Sequence, residues 1–325
     1  MSKNRNRLVV AMMVLATTLT GCSSGSKMEL PFEDTVSLQT QIPVSMTGSE
    51  TSEFLSDDLC IVPVGEDQGD DETITGISSL LFDVTNQKVL YADNVYERIY
   101  PASLTKLLTA LVVLEQGELT DTVTVSYNAS HIQEVGAKLC GLKEGDQINL
   151  GDLLTALLVY SGNDAGIAIA EHIAGSEEAF CKLMNDKAAS IGAVDTHFTN
   201  SHGLHSEDHY TTAYDMYLIF NALLEYDGAK EIITMSSFTM DYKNQEGNEK
   251  QSVFYNTNKY LKGEVDAPEG IIVEGGKTGT TNAAGYCLEL LVEDEAGNDY
   301  IVMVLKASNS DSLYQQMNTL LGKIK

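Results

Sequence analysis

Residues 103–115 leave the chain few ways to fold. Leu104, Leu107, Leu108, Leu111, Val112 and Leu114 make the segment apolar nearly all round at helical spacing, and Gly117 supplies a stop. A helix with no polar face belongs in an interior, so the rest of the chain must enclose it. Ahead of it, residues 77–91 read as a β-hairpin: apolar Leu80-Leu81-Phe82, a turn at Thr85-Asn86-Gln87, then Val89-Leu90-Tyr91. Behind it come helical patterns at 151–160, 164–174, 177–191 and 211–226. The chain then turns strand-like at Ile271-Ile272-Val273, 286–292 and 300–306, the last two joined by a turn at Glu295-Ala296-Gly297-Asn298, and closes with a helix over 311–323. Strands at both ends of a helical middle predict an α/β protein with an antiparallel sheet flanked by helices and a separate helical lobe. A site is expected in the cleft between them.

The N-terminus carries a different message. Lys3, Arg5 and Arg7 precede an apolar stretch from Leu8 to Leu19. About a dozen residues cannot span a hydrocarbon core ~30 Å thick, but they match the apolar region of a signal peptide. Leu19-Thr20-Gly21-Cys22 follows, and it resembles the bacterial lipobox, in which a cysteine receives a diacylglyceryl group and becomes the mature N-terminus. The alternative is an ordinary cleaved signal with a chance cysteine. Lipidation of Cys22 predicts an extracytoplasmic protein anchored to a membrane that it does not cross. Residues 23–75 set twelve acids against the single base Lys27 and show no sustained apolar period, so they are expected to form a disordered acidic tether. Three parts result: a signal peptide over 1–22, a tether over 23–75 and a catalytic domain over 76–325. The net charge of −27 argues against nucleic acid or anionic lipid as a partner. Beyond Cys22, Cys60, Cys140, Cys181 and Cys287 allow three pairings, and the sequence selects none.

Three short motifs carry chemistry. In Ser103-Leu104-Thr105-Lys106 the outer residues share a helix face with Cβ atoms ~5–6 Å apart. A lysine whose pKa is lowered by burial can take the serine proton, and a helix N-terminus favours a developing oxyanion. Taken alone, the same letters describe a serine cap with a surface lysine. Ser161-Gly162-Asn163, between two apolar helical segments, offers a hydroxyl for proton relay and an amide to hold a peptide group, or simply a capping loop. Lys277-Thr278-Gly279 follows a strand-like run. It makes a cationic, hydrogen-bonding seat for a carboxylate, with a glycine that lets a substrate backbone approach, or else a surface turn.

The order SxxK, SxN, KTG is that of penicillin-binding proteins and class A β-lactamases. The flanking text, Tyr100-Pro101-Ala102-Ser103-Leu104-Thr105-Lys106-Leu107, Ser161-Gly162-Asn163-Asp164-Ala165, Phe198-Thr199-Asn200-Ser201-His202-Gly203-Leu204, Gly276-Lys277-Thr278-Gly279-Thr280-Thr281 and Ala284-Gly285-Tyr286-Cys287, resembles the low-molecular-mass D-alanyl-D-alanine carboxypeptidases, serine peptidase family S11. The resemblance runs from about Ile77 to Lys325. It implies a serine β-lactamase/DD-peptidase-like fold and removal of the terminal D-alanine from peptidoglycan stem peptides. On that reading Ser103 is the nucleophile, Lys106 its proton acceptor and Ser161 a proton relay. Asn163, Lys277, Thr278, Gly279 and Thr280 bind substrate, with the N–H groups of Ser103 and Thr280 as the oxyanion hole. No metal or organic cofactor is implied, and β-lactams are expected to acylate Ser103.

The pattern also departs from the family. Many relatives continue into a β-rich domain and a membrane-binding helix, whereas this sequence stops soon after Lys306-Ala307-Ser308, so the lipid on Cys22 is expected to serve as anchor. A β-lactamase is the nearest alternative, but no Glu-x-x-Leu-Asn segment follows Ser161-Gly162-Asn163 to activate a deacylating water. A non-catalytic wall-binding lipoprotein is another, against which stand the intact Ser103, Lys106 and Lys277. The turn around His202 is read as structural and left outside the site.

Overall fold

In the computed structural model, residues 59–63, 66–67 and 69–324 are described. The expected signal peptide, Cys22 and the tether as far as residue 58 lie outside the described residues. The hairpin is β1 (Ser78–Asp83) and β2 (Lys88–Asp93), followed by a 3-10 turn over Ala102–Leu104 and then α1 (Thr105–Gln116). Next come β3 (Thr122–Thr124), α2 (Tyr127–Ser130), β4 (Gln147–Asn149), α3 (Leu150–Val159), α4 (Asn163–Ala174) and α5 (Glu177–Ser190). The remaining elements are α6 (Ala213–Leu223), α7 (Asp227–Ile233), β5 (Ser237–Lys243), β6 (Glu249–Tyr255), β7 (Ile271–Thr281), β8 (Gly285–Asp294), β9 (Asp299–Ala307) and α8 (Ser310–Leu321).

The main sheet is five-stranded and antiparallel, in the order β2-β1-β9-β8-β7. Its two-residue period divides the apolar side chains between two cores. Leu80, Phe82, Ile301, Met303 and Leu305 face a core shared with α1 and α6. Leu81, Leu288, Leu290, Val302 and Val304 face a second core completed by Leu313, Met317 and Leu320 of α8. Nine α1 residues are buried, Lys106 among them, as an all-round apolar helix requires. The expected architecture is therefore observed, with β7 at the sheet edge beside the helical lobe.

A second, four-stranded sheet, β3-β4-β5-β6, is not in the sequence reading. Two of its strands have three residues each, too short to show a period, and β6 buries only Phe254. The 211–226 helix is also shorter than expected. Thr211 is extended and exchanges backbone hydrogen bonds with Ile99 (2.8 and 2.9 Å), and the helix begins after Thr212, whose hydroxyl caps Asp215 N–H at 3.0 Å.

The packed chain also starts ahead of residue 76, where the tether was expected to end. Cys60 and Val62 are 1% and 3% exposed. The Cys60 N–H donates to the Tyr217 hydroxyl (2.8 Å), and the Val95 N–H donates to Asp67 (2.7 Å). Apolar residues too sparse to build a core of their own are recruited onto one already formed. The four described cysteines are all free thiols.

Candidate active site

Ser103 sits in the 3-10 turn just before α1, not within the helix as expected, yet one turn still separates it from Lys106. The turn holds a strained backbone: Ala102 has φ +48° in a position that side chains disfavour. Its carbonyl accepts from the Thr105 hydroxyl at 2.8 Å, and that oxygen in turn meets Nε2 of the buried His209 at 2.7 Å. Burial drives the His209 pKa down to about 3, so the ring is a neutral structural partner. Behind the turn lies Gly203 at φ +88°, where an added Cβ would stand 1.8 Å from the Ala102 carbonyl oxygen. Gly279 of β7 closes the other side, with room for a Cβ only 2.9 Å from the Pro101 oxygen. Two backbones thus press the turn into one conformation and leave Ser103 at the mouth of the cleft.

Lys106 is fully buried. Its ammonium donates to Ser103 Oγ at 2.9 Å, to Asn163 Oδ1 at 2.8 Å and to the His202 carbonyl oxygen. Burial lowers its pKa to about 7, so a neutral amine that can accept the serine proton is well populated at neutral pH. Ser161 occupies a left-handed conformation (φ +74°), which turns its hydroxyl toward the cleft floor. There it accepts from Lys277 Nζ at 3.0 Å, and Nζ also reaches the Thr278 carbonyl at 2.9 Å. Lys277 is 1% exposed, and burial, followed by the charges of Lys106 and Lys138, holds its pKa well below the usual lysine value. The Thr278 and Thr257 hydroxyls are 2.6 Å apart.

The Ser161–Asn163 turn is clamped from outside. Asn163 N–H donates to the Lys138 carbonyl (2.7 Å). The Asp164 carboxylate accepts from the N–H groups of Cys140 (2.8 Å), Gly141 (2.8 Å) and Leu142 (3.1 Å). In front of these groups opens a cavity of about 400 Å³ reached by Ser103, Ser161, Thr278 and Thr280, a size suited to a peptide end.

Ser103, Lys106, Ser161, Asn163, Lys277, Thr278, Gly279 and Thr280 are therefore brought together from three separate stretches. Only Cys22 lies outside the described residues. Sequence reasoning missed the His202 carbonyl, Thr257 and the lysines at the rim, Lys138, Lys259 and Lys262. A backbone carbonyl leaves no trace in side-chain identity. The 198–204 segment did stand out as a landmark, and that was the only signal available for it.

Comparison with known proteins gives the family and the fold. Residues 66–309 match the family model described as peptidase S11, D-alanyl-D-alanine carboxypeptidase. The chain is 36% identical over 218 residues to D-alanyl-D-alanine carboxypeptidase DacF of Bacillus subtilis, covering 65% of this chain and 52% of the relative. It is 33% identical over 242 residues to D-alanyl-D-alanine carboxypeptidase DacC of Escherichia coli, covering 72% and 57%. The chain thus spans about half the length of these curated relatives. Among solved structures, the Streptomyces K15 DD-transpeptidase superposes with a TM-score of 0.70 at 25% identity, covering 77% of this chain and 97% of that one. D-alanyl-D-alanine carboxypeptidase DacD of Francisella tularensis gives 0.67 at 24% identity, covering 81% and 72%. The fold is the serine β-lactamase/DD-peptidase fold.

Proposed function

Because the chain belongs to the D-alanyl-D-alanine carboxypeptidase family, peptidase S11, we propose that it removes the terminal D-alanine from peptidoglycan stem peptides through an acyl-enzyme on Ser103. The observation that carries this reading is the Lys106 amine, buried and held at a pKa of about 7, 2.9 Å from the Ser103 hydroxyl. Ser103 Oγ attacks the carbonyl carbon between the two D-alanines and passes its proton to Lys106. The N–H groups of Ser103 and Thr280 receive the oxyanion, a feature that contributes ~3–4 kcal/mol per donor. The proton held by Lys106 then passes by way of Ser161, which is bonded to Lys277, to the departing amine nitrogen as the C–N bond breaks, so that Lys106 and Ser161 end as they began. Water then cleaves the ester and restores Ser103. Asn163 holds the substrate amide, Lys277 and Thr278 take the terminal carboxylate, and Gly279 lets the peptide lie close to β7. A β-lactam presents a similar amide and carboxylate and acylates the same oxygen.

This substrate lies outside the cytoplasm. The reading includes a lipid on Cys22 as membrane anchor, after a signal peptide over 1–22, with the acidic segment from residue 23 as spacer ahead of the catalytic domain.

The test is intact-mass analysis of the chain after brief exposure to penicillin, beside Ser103→Ala. The full chain is used because a start at residue 76 would remove Cys60 and Val62 from the core. A persistent single adduct on Ser103, absent from the variant, is expected. Rapid loss of the adduct with drug hydrolysis would move the assignment to a β-lactamase, and no adduct on folded protein would sink the acylation mechanism.

A further inference from the structure

The cleft carries more positive charge than one C-terminal carboxylate requires. In a chain with 47 acidic and 20 basic residues, three lysines (Lys138, Lys259 and Lys262) line the cavity in front of Ser103, and no aspartate or glutamate does. Two of the three are partly offset from outside the lining: Lys259 Nζ lies 3.6 Å from the exposed Asp311, and Lys262 Nζ lies 2.7 Å from Glu264. Lys138 has no carboxylate within ion-pair distance among the described residues. The residue is open to the cleft, and its ammonium tip packs over the Tyr160 ring, 4.2 Å from the centroid. Burial of that tip, then the nearby Lys262 charge, lowers its pKa. Lys138 and Lys262 line the same cavity, and of the two Lys138 is the one without a carboxylate partner among the described residues.

The lysines divide between the walls. Lys259 belongs to the strand side, where its N–H donates to the Tyr314 hydroxyl of α8 at 2.9 Å. Lys138 belongs to the helical side, tied through its carbonyl to the N–H of Asn163. Lys262 is shared between the cavity in front of Ser103 and a second one of about 550 Å³ lined by Ser236, Ser237, Tyr255 and Glu264, so the acid that pairs with Lys262 lies on that far side.

We propose that Lys138 and Lys262 form a second anion seat, which takes a carboxylate carried on the acyl half of the peptide substrate. This rests on the carboxypeptidase reading above. The leaving D-alanine has a single carboxylate, assigned to Lys277 and Thr278, so any further carboxylate belongs to the half retained on Ser103. Asn163, which holds the substrate amide, is the direct neighbour of Lys138. A net charge of −27 also repels an acidic peptide at long range, and the three lysines that line the cavity in front of Ser103, with no acidic residue among its lining, reverse that field locally. The seat thereby selects substrates with a free side-chain carboxylate over those in which it is amidated.

The experiment uses two synthetic peptides ending in D-Ala-D-Ala that differ at one upstream side chain, a free carboxylate in one and its primary amide in the other. The full chain is expected to favour the acid roughly tenfold in kcat/KM, mostly through KM, as for a charge-assisted contact. The preference should shrink with added salt. Lys138→Gln and Lys262→Gln should bring the acid-to-amide ratio to about one, while Lys138→Arg should keep it. A wild-type ratio of one, or a ratio unmoved by both glutamine variants, overturns the proposal. If neither peptide loses D-alanine, the catalytic reading has failed instead. Equilibrium binding of the same two peptides to Ser103→Ala then reads the seat independently, with a tenfold preference supporting it and equal affinities refuting it.

Discussion

On the helical side of the cleft, Lys106, Ser161 and Asn163 are buried, and the Lys106 ammonium has a named acceptor for each of its three protons. On the strand side, Thr278 is half-buried and Thr280 exposed, on an edge strand with its outer rim open. On the proposed mechanism, the contrast follows from what each side has to do. A lysine works as a base near neutral pH only when water is excluded, because burial is what lowers its pKa. A recognition surface must stay open, because hydrogen bonds already satisfied within the protein are not offered to a ligand. Lys277 sits at the junction: its side chain is buried against Ser161, while its backbone belongs to the open strand.

The division can be broken experimentally. Lys106→Ala should slow acylation by penicillin about 10³-fold in a stopped-flow measurement, the range for loss of a positioned base, whereas Thr278→Val should act through KM and by roughly tenfold. Equal effects on the acylation step would mean that the two walls do not divide the work. Gly203→Ala tests how far the nucleophile turn depends on its backing. With a Cβ 1.8 Å from the Ala102 oxygen and φ at +88°, the variant should lose at least about 2 kcal/mol in urea unfolding and acylate more slowly. Unchanged stability would show that the turn can move at little cost. The smallest and sharpest effect concerns pH. Acylation should rise through a midpoint near pH 7 as Lys106 loses its proton. Asn163→Asp places a carboxylate against the same amine, favours its charged form and should move the midpoint up by about one unit. A midpoint that stays in place would point to a group other than Lys106.

The folded chain also bears a stability cost from that lysine. Its pKa is about 7 folded against 10.5 for the ordinary side chain, so the unfolded chain binds the extra proton between those values. The destabilisation is full below pH 7 and is relieved as pH rises toward 10.5, a strain placed in the active site.

Much of this arrangement was legible in the sequence because it is local. The apolar run after Ser103 has to be interior whatever surrounds it, and a three-residue spacing keeps Ser103 and Lys106 on one face even though the serine sits in a 3-10 turn. The turn residues between β8 and β9 specify a hairpin at any position in a fold. What failed was non-local or thinly encoded. β3 and β4 are too short for a period, and Cys60 is held by Tyr214 and Tyr217 of α6 and Asp83 of β1, far along the chain.

By itself, the sequence determined the interior helix, the strand-like runs and hairpin turns on either side of the helical middle, and which side chains can do acyl chemistry. Each depends on neighbours within a few residues, so their spacing fixes the result. The tertiary structure alone decided that the His202 carbonyl completes the Lys106 environment, that Gly203 and Gly279 press on the Ser103 turn, and that Lys138 and Lys262 line the same cavity in front of Ser103. Those are meetings of groups distant along the chain, made by packing, and no local pattern records them.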